Sequence, residues 1–221
     1  MGENVTLTCA DGVTIGAYVA KPAGTPKGGM VVIQEIFGVN HHIRAVADRY
    51  AAEGYFAVAP ALFDRVAPGI ETGYDGDERK KGSETKAKVD NSKVPYDVKA
   101  AIAYASQAGK VGLVGYCWGG TIAFQAACDF DGLVAAVGYY GSGIAAMADK
   151  KPKIPLILHF GDKDQSIPMA DVEKIKAARP EVPAYVYSAG HGFNCDERGS
   201  FDQAAADLAK TRTLDFFSKH F

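Results

Sequence analysis

The segment Gly115-Tyr116-Cys117-Trp118-Gly119-Gly120 sets a thiol between two glycines, one two residues before it and one two residues after. That is the spacing of a nucleophile elbow, Gly-x-nucleophile-x-Gly, with cysteine where serine is more usual. A sharp strand-to-helix turn holds its central residue in a strained backbone conformation, and side chains on the two flanking positions would collide with the turn. Glycine removes both collisions. The sulfur is then carried at the start of a helix, above the carboxyl end of a strand, where the helix dipole favours thiolate. The competing reading is an inert, buried cysteine in a tight turn.

A cysteine nucleophile needs a base that takes its proton and later returns it to the leaving group. Of the five histidines, His41 and His42 open a predicted helix, His159 sits inside an apolar strand and His220 adjoins the C-terminus. His191 differs, because Ala189-Gly190-His191-Gly192-Phe193 is a glycine-bracketed turn just beyond the strand Tyr185-Val186-Tyr187. Open α/β sheets place their sites at such strand ends. The third partner is a carboxylate that fixes the imidazole tautomer and stabilises the imidazolium. The strand 154–160 runs into Gly161-Asp162-Lys163-Asp164-Gln165-Ser166-Ile167-Pro168, where the Gly-x-x-Asp-x-x-x-Pro spacing favours Asp164 and leaves Asp162 as a solvated turn residue. The order nucleophile, acid, histidine is the one used by α/β-hydrolases.

The elements that must position these residues alternate between apolar runs of strand length and longer amphipathic segments, which predicts a βαβ protein. An antiparallel hairpin, 5–8 and 14–19 about Asp11-Gly12, is expected at the sheet edge. Strands are expected at 30–33, 56–59, 111–115, 133–138, 154–160 and 184–187, with helices at 40–53, 95–107, 119–128, 169–178 and about 201–219. In the last helix Leu208, Thr211, Leu214, Phe217 and Phe221 are expected to face the sheet. The hydrophilic stretch 62–92 has no clear period and reads equally as a lid or substrate loop and as a solvated insertion with a short helix in it. With no internal repeat and no linker, residues 1–221 are expected to form a single α/β domain, a mostly parallel central sheet with helices on both faces.

Composition narrows the partners. Lys and Arg number 24 against 26 Asp and Glu, a formal net charge of -2, so there is no global footprint for nucleic acid or an anionic membrane. No basic segment followed by an apolar one opens the chain, and no apolar run approaches the roughly 18 residues of a membrane span, which points to a cytoplasmic protein. The four cysteines, Cys9, Cys117, Cys128 and Cys195, have neither metal-ligand spacing nor the density of a disulfide framework. A small-molecule partner is expected, with no metal and no cofactor.

Gly115-Tyr116-Cys117-Trp118-Gly119-Gly120, with Gln34-Glu35-Ile36-Phe37-Gly38 after the strand 30–33, resembles the dienelactone hydrolase family, and the likeness in segment order runs over essentially the whole chain. The resemblance implies an α/β-hydrolase fold, a triad of Cys117, Asp164 and His191, and hydrolysis of cyclic enol esters, typically dienelactone to maleylacetate. It also implies an oxyanion hole from the backbone amides of Ile36 and Trp118, as the elbow geometry independently requires. Glu35, a carboxylate beside Ile36 and Phe37, is a poor structural choice unless it accepts a proton, and the resemblance gives it the role of holding Cys117 as a thiol until substrate arrives. The bland alternative is a partly solvated rim residue.

For the substrate carboxylate the family uses arginines. Asp77-Glu78-Arg79 resembles the segment carrying one of them, against the alternative of a solvated charge run. The other family arginine follows the catalytic histidine by four residues, where this chain has Cys195, so Arg198 becomes the candidate or the substrate is not dienelactone. Phe37, Tyr140 and Trp118 are candidates for the pocket lining, with core packing as the ordinary alternative. The expected function is a cofactor-independent hydrolase of a small activated ester or enol lactone through an S-acyl intermediate, as a monomer or homodimer. A carboxylesterase or thioesterase on another small acyl substrate is the alternative, and a redox-sensing or non-catalytic hydrolase-like domain is the reading from a different class.

Overall fold

The computed structural model describes residues 2–221. The described residues form eight strands and six α-helices, and the chain divides into two compact units, Met1–Gly112 and Leu113–Phe221. Both antiparallel and parallel strand pairs occur, and among the described residues no helix is long and apolar enough to cross a membrane.

In the first unit, Asp11-Gly12 turns β1 (Glu3–Thr8) back onto β2 (Thr14–Ala20), an antiparallel pair with Thr8 opposite Thr14. The strand order is β1-β2-β4-β3, with β4 (Phe56–Pro60) antiparallel to β2 and parallel to β3 (Gly29–Ile33). β3 is buried at every residue, as a run with no polar alternation requires. Helix α1 (His41–Ala52) is capped by Asn40, whose side chain accepts from the Ile43 amide at 3.2 Å. The 62–92 stretch contains α2 (Gly76–Lys88), a solvated helix buried only at Gly82 and Thr85. It rests on Gly82, where a Cβ would lie 2.5 Å from the Ile36 carbonyl oxygen, so only glycine permits this approach. Helix α3 (Val94–Ala105) brings in Asp97, a fully buried carboxylate. Arg65 Nε reaches it at 2.7 and 3.0 Å, the Cys9 thiol donates to it at 3.2 Å, and the same guanidinium forks onto Asp11 at 2.9 and 3.1 Å. One buried charge is thereby satisfied by the hairpin and by the loop after β4 together.

The division falls within β5 (Val111–Tyr116). The second unit follows the order β5-β6-β7-β8, and β6 (Ala135–Tyr139), β7 (Leu156–Gly161) and β8 (Ala184–Tyr187) run parallel, with Tyr139 opposite His159 and Gly161 opposite Tyr187. Helix α4 (Trp118–Asp129) follows β5 after a single residue, and α5 (Met169–Ala178) links β7 to β8. β7 begins two residues later than the apolar run suggested, because Pro155 has no N–H for the ladder. The last helix, α6 (Gln203–Ser218), corrects the expected face: Leu208 is 46% exposed and Thr211 lies in solvent, while Ala205, Ala206, Ala209, Thr213 and Phe217 are buried. Small residues four apart let the helix lie close, and Thr213 spends its hydroxyl inward, 2.7 Å from Tyr139 Oη and 3.1 Å from His159 Nε2.

Candidate active site

Cys117 occupies the one residue between β5 and α4, at φ 55° and ψ -114°, a conformation that costs an L-residue about 1–3 kcal/mol. Its N–H donates to the Tyr139 carbonyl at 3.0 Å, and its own carbonyl accepts from Gly120 at 2.9 Å and Thr121 at 3.2 Å, so hydrogen bonds on both sides sustain the strain. Gly115 is obligatory: a Cβ there would stand 1.9 Å from the Gly119 carbonyl oxygen. Cys117 is the one cysteine of four that is not buried. Burial pushes the Cys9 and Cys128 thiols up to about 11, which leaves them inert at neutral pH.

His191 and Asp164 converge on this sulfur from the ends of β8 and β7. His191 Nε2 lies 3.2 Å from Cys117 Sγ, and Nδ1 lies 2.7 Å from Asp164 Oδ2. The other carboxylate oxygen, Oδ1, accepts the amides of Ser166 at 2.7 Å and Ile167 at 3.2 Å, so the turn after β7 aims Asp164. Asp162, two residues earlier, is exposed, as the spacing argument expected. Burial alone would hold the His191 imidazole below its ordinary value, but its hydrogen bonds to Asp164 and Cys117, with their charges, outweigh burial and raise it to about 9. The ring can therefore carry a proton through the neutral range while lying against the Cys117 sulfur. A thiol, a base that can hold its proton and a carboxylate that fixes the base are the parts that acyl transfer needs.

The remaining predicted residues fall out differently. Arg198 lies in the same unit with its guanidinium against Gly192, since a Cβ on Gly192 would stand 2.4 Å from Arg198 Nη1. Trp118, 9% exposed, begins α4, and its amide is among those that the helix's own ladder does not use. Tyr140 has no exposed surface and sets its ring 5.1 Å from that of His191. In the first unit, Glu35 just past β3 is fully buried, which removes the rim reading, and the Gln34 side chain donates to its carbonyl at 3.2 Å. Ile36 follows it, its carbonyl meeting α2 at Gly82. Phe37 is 2% exposed and edge-on to Tyr74, ring centroids 4.7 Å apart. Arg79 is exposed in the first turns of α2. Sequence reasoning missed Ser200, whose hydroxyl donates to the His191 carbonyl at 2.6 Å. The contact spans nine residues of irregular chain, and no motif announces it.

The model of the dienelactone hydrolase family matches residues 15–221. A carboxymethylenebutenolidase of Pseudomonas putida is 38% identical over 228 residues, covering 98% of this chain and 96% of its own. A carboxymethylenebutenolidase of Pseudomonas knackmussii shows the same identity and coverage. Among solved structures, the "Putative Dienelactone Hydrolase" of Klebsiella pneumoniae subsp. pneumoniae MGH 78578 aligns with a TM-score of 0.87 at 30% identity, over 99% of this chain and 98% of that one. The fold is accordingly that of the α/β-hydrolases, and the chain belongs to the dienelactone hydrolase family, as a hydrolase of carboxylic esters.

Proposed function

We propose that the protein hydrolyses a small activated ester or enol lactone through an S-acyl enzyme formed on Cys117. The observation that carries this reading is the unbroken line from Asp164 through His191 to Cys117 Sγ, at 2.7 and 3.2 Å. Sulfur attacks the carbonyl carbon while His191 Nε2 holds the proton that the two share. The imidazolium so formed is the state that Asp164 favours. The same proton then goes to the leaving oxygen as the carbon–oxygen bond breaks. Water, deprotonated by His191, next attacks the thioester and expels the sulfur, which recovers its proton.

An enolate leaving group suits a thiolate nucleophile, since a poorer alkoxide would be expelled less readily than the sulfur. Dienelactone, opened to maleylacetate, has such a group, and the names of the Pseudomonas relatives agree with that chemistry. Family membership further supports the amides of Ile36 and Trp118 as oxyanion donors and Glu35 as the carboxylate that keeps the resting sulfur protonated. For a free carboxylate on the substrate, Arg198 beside Gly192 is the better-supported candidate, and Arg79 in its exposed turn the weaker one. Cys195 in place of the family's second arginine favours a second reading, a carboxylesterase or thioesterase with a neutral acyl substrate, which a panel of enol lactones against simple aryl esters distinguishes.

The decisive variant is Cys117→Ser. Turnover of an enol ester should fall by on the order of 10³-fold or more with the fold intact, because one member of a concerted triad is lost. Wild-type protein quenched during turnover should carry one acyl group on Cys117 by mass spectrometry. Undiminished turnover by the purified serine variant would sink the assignment.

A further inference from the structure

Two non-glycine residues, among those described, have backbone φ in the left-handed region: Cys117 and Tyr140, the latter at 37°. The elbow explains the first. Nothing in the proposed chemistry explains the second, and a glycine at position 140 would adopt this conformation without strain. Both flanks of Tyr140 are fixed by hydrogen bonds: the preceding carbonyl, of Tyr139, accepts the Cys117 amide at 3.0 Å, and the Tyr140 amide donates to the His159 carbonyl at 2.7 Å. The backbone is thus forced by the requirement to hold the elbow, yet the position carries a large side chain with no exposed surface. That ring is set edge-to-face on the His191 imidazole, centroids 5.1 Å apart at 60°, and is itself walled by Phe193 at 5.4 Å, Tyr139 at 6.0 Å and Tyr116 at 6.3 Å.

We infer that Tyr140 is a positioning residue: its aromatic ring, held by a strained backbone, fixes the His191 imidazole so that Nε2 stays on Cys117 Sγ. Asp164 anchors the ring at Nδ1, and rotation about that hydrogen bond would carry Nε2 away from Cys117 Sγ. An aromatic ring packed edge-to-face against the imidazole limits that rotation. The strained residue and the strained nucleophile share one hydrogen bond, Cys117 N–H to Tyr139 O, so the base and the nucleophile are aligned by the same short piece of backbone. The inference rests on His191 being the base of the proposed reaction.

Three substitutions separate ring, strain and hydroxyl: Tyr140→Phe keeps the ring, Tyr140→Leu keeps the strain without a ring, and Tyr140→Gly removes both. Acylation of Cys117 by an activated ester is followed in single turnover, with KM and the melting temperature of each variant, and His191→Ala is run beside them. Tyr140→Phe should acylate within about threefold of wild type, while the leucine and glycine variants should lose on the order of 100-fold in acylation with KM little changed, as expected for a misplaced reacting group. Leucine should melt above glycine, since the cavity left by removing the whole buried side chain outweighs the strain relieved, yet it should be no more active. If activity instead follows melting temperature across the three, the role is merely structural and the inference fails. It fails equally if the leucine variant acylates at the wild-type rate or if phenylalanine loses as much as leucine. Should Tyr140→Gly not fold, the phenylalanine and leucine pair decides alone. Undiminished acylation by His191→Ala would overturn the base assignment itself, a result the Tyr140 series cannot mimic.

Discussion

Two histidines of the second unit have opposite fates in closely similar surroundings. His159, within β7, is wholly buried, and its partners are hydroxyls: Tyr187 Oη at 2.8 Å from Nδ1 and Thr213 Oγ1 at 3.1 Å from Nε2. Burial drives it down to about 3, and the Arg212 guanidinium, 4.3 Å from the Tyr185 ring that stacks on His159, adds to the effect. His191, in the turn after β8, is also mostly enclosed, yet it rises to about 9 because a carboxylate and a sulfur face its two nitrogens. Burial therefore sets a neutral default for imidazole, and only an anionic partner reverses it. A histidine between hydroxyls joins strands together. A histidine between a carboxylate and a thiol can move a proton.

The largest effect should come from making His191 resemble His159. Asp164→Asn preserves shape but replaces the anion with a neutral amide, so turnover should fall by on the order of 10⁴-fold, as when a triad loses its carboxylate. The His191 titration, followed by NMR of the imidazole, should drop well below 9 in the same variant, since burial would then act against weaker opposition. A rate within tenfold of wild type would mean that the carboxylate is not what distinguishes the two histidines.

The same contrast shows which parts of the molecule the sequence made legible. Cys117, Asp164 and His191 each follow a strand within a few residues and stand in glycine- or proline-marked turns, so local backbone rules were enough to select them, and they lie in hydrogen-bonding line. His159 was separable as a strand histidine for the same reason, although its partner Thr213 comes from α6, 54 residues away, and could not be named. The face of α6 was misread because hydrophobicity marked Leu208, whereas close packing against the strands selected the alanines and a hydroxyl. In the 62–92 stretch periodicity failed altogether: α2 buries only Gly82 and Thr85, so no apolar stripe was there to be read. The strain at Tyr140 likewise depends on hydrogen bonds with Cys117 and His159, each about twenty residues away along the chain, and no residue type announces it.

A smaller effect should come from the other member of the pair. His159→Phe leaves the hydroxyls of Thr213 and Tyr187 without the imidazole between them, which should cost about 1–3 kcal/mol of stability for the buried polar groups so exposed. The backbone carbonyl that receives the Tyr140 amide survives this change, so turnover at a temperature where the variant is folded should stay near wild type. Denaturant unfolding measures the first quantity and steady-state kinetics the second. Asp164→Asn should give the reverse pattern, a catalytic loss out of proportion to its cost in stability. If His159→Phe instead abolished turnover in folded protein, the division between a structural and a reactive histidine would collapse.

The smallest effects are slopes of stability with pH, and the two histidines should contribute them with opposite sign. Between the ordinary value of 6.5 and about 9, native His191 holds a proton that the unfolded chain has released. Its contribution is fully present below 6.5 and is lost as pH rises toward 9. Between about 3 and 6.5 the unfolded chain protonates His159 while the native state does not, so stability falls as pH falls through that window. Each slope is bounded at about 1.4 kcal/mol per pH unit, and the two contributions together peak near pH 6.5. Other groups titrate in the same range, so the measurement is a difference: urea midpoints at about pH 5, 6.5 and 8 for wild type, Asp164→Asn and His159→Phe. His159→Phe should flatten the acid side alone, because it removes the only one of the pair that gains a proton on unfolding there. Asp164→Asn should flatten the alkaline side, because a His191 restored toward its burial-lowered default no longer holds an extra proton in the native state. Parallel pH dependences in all three proteins would show that neither imidazole is linked to folding, and that the contrast between them does not extend to stability.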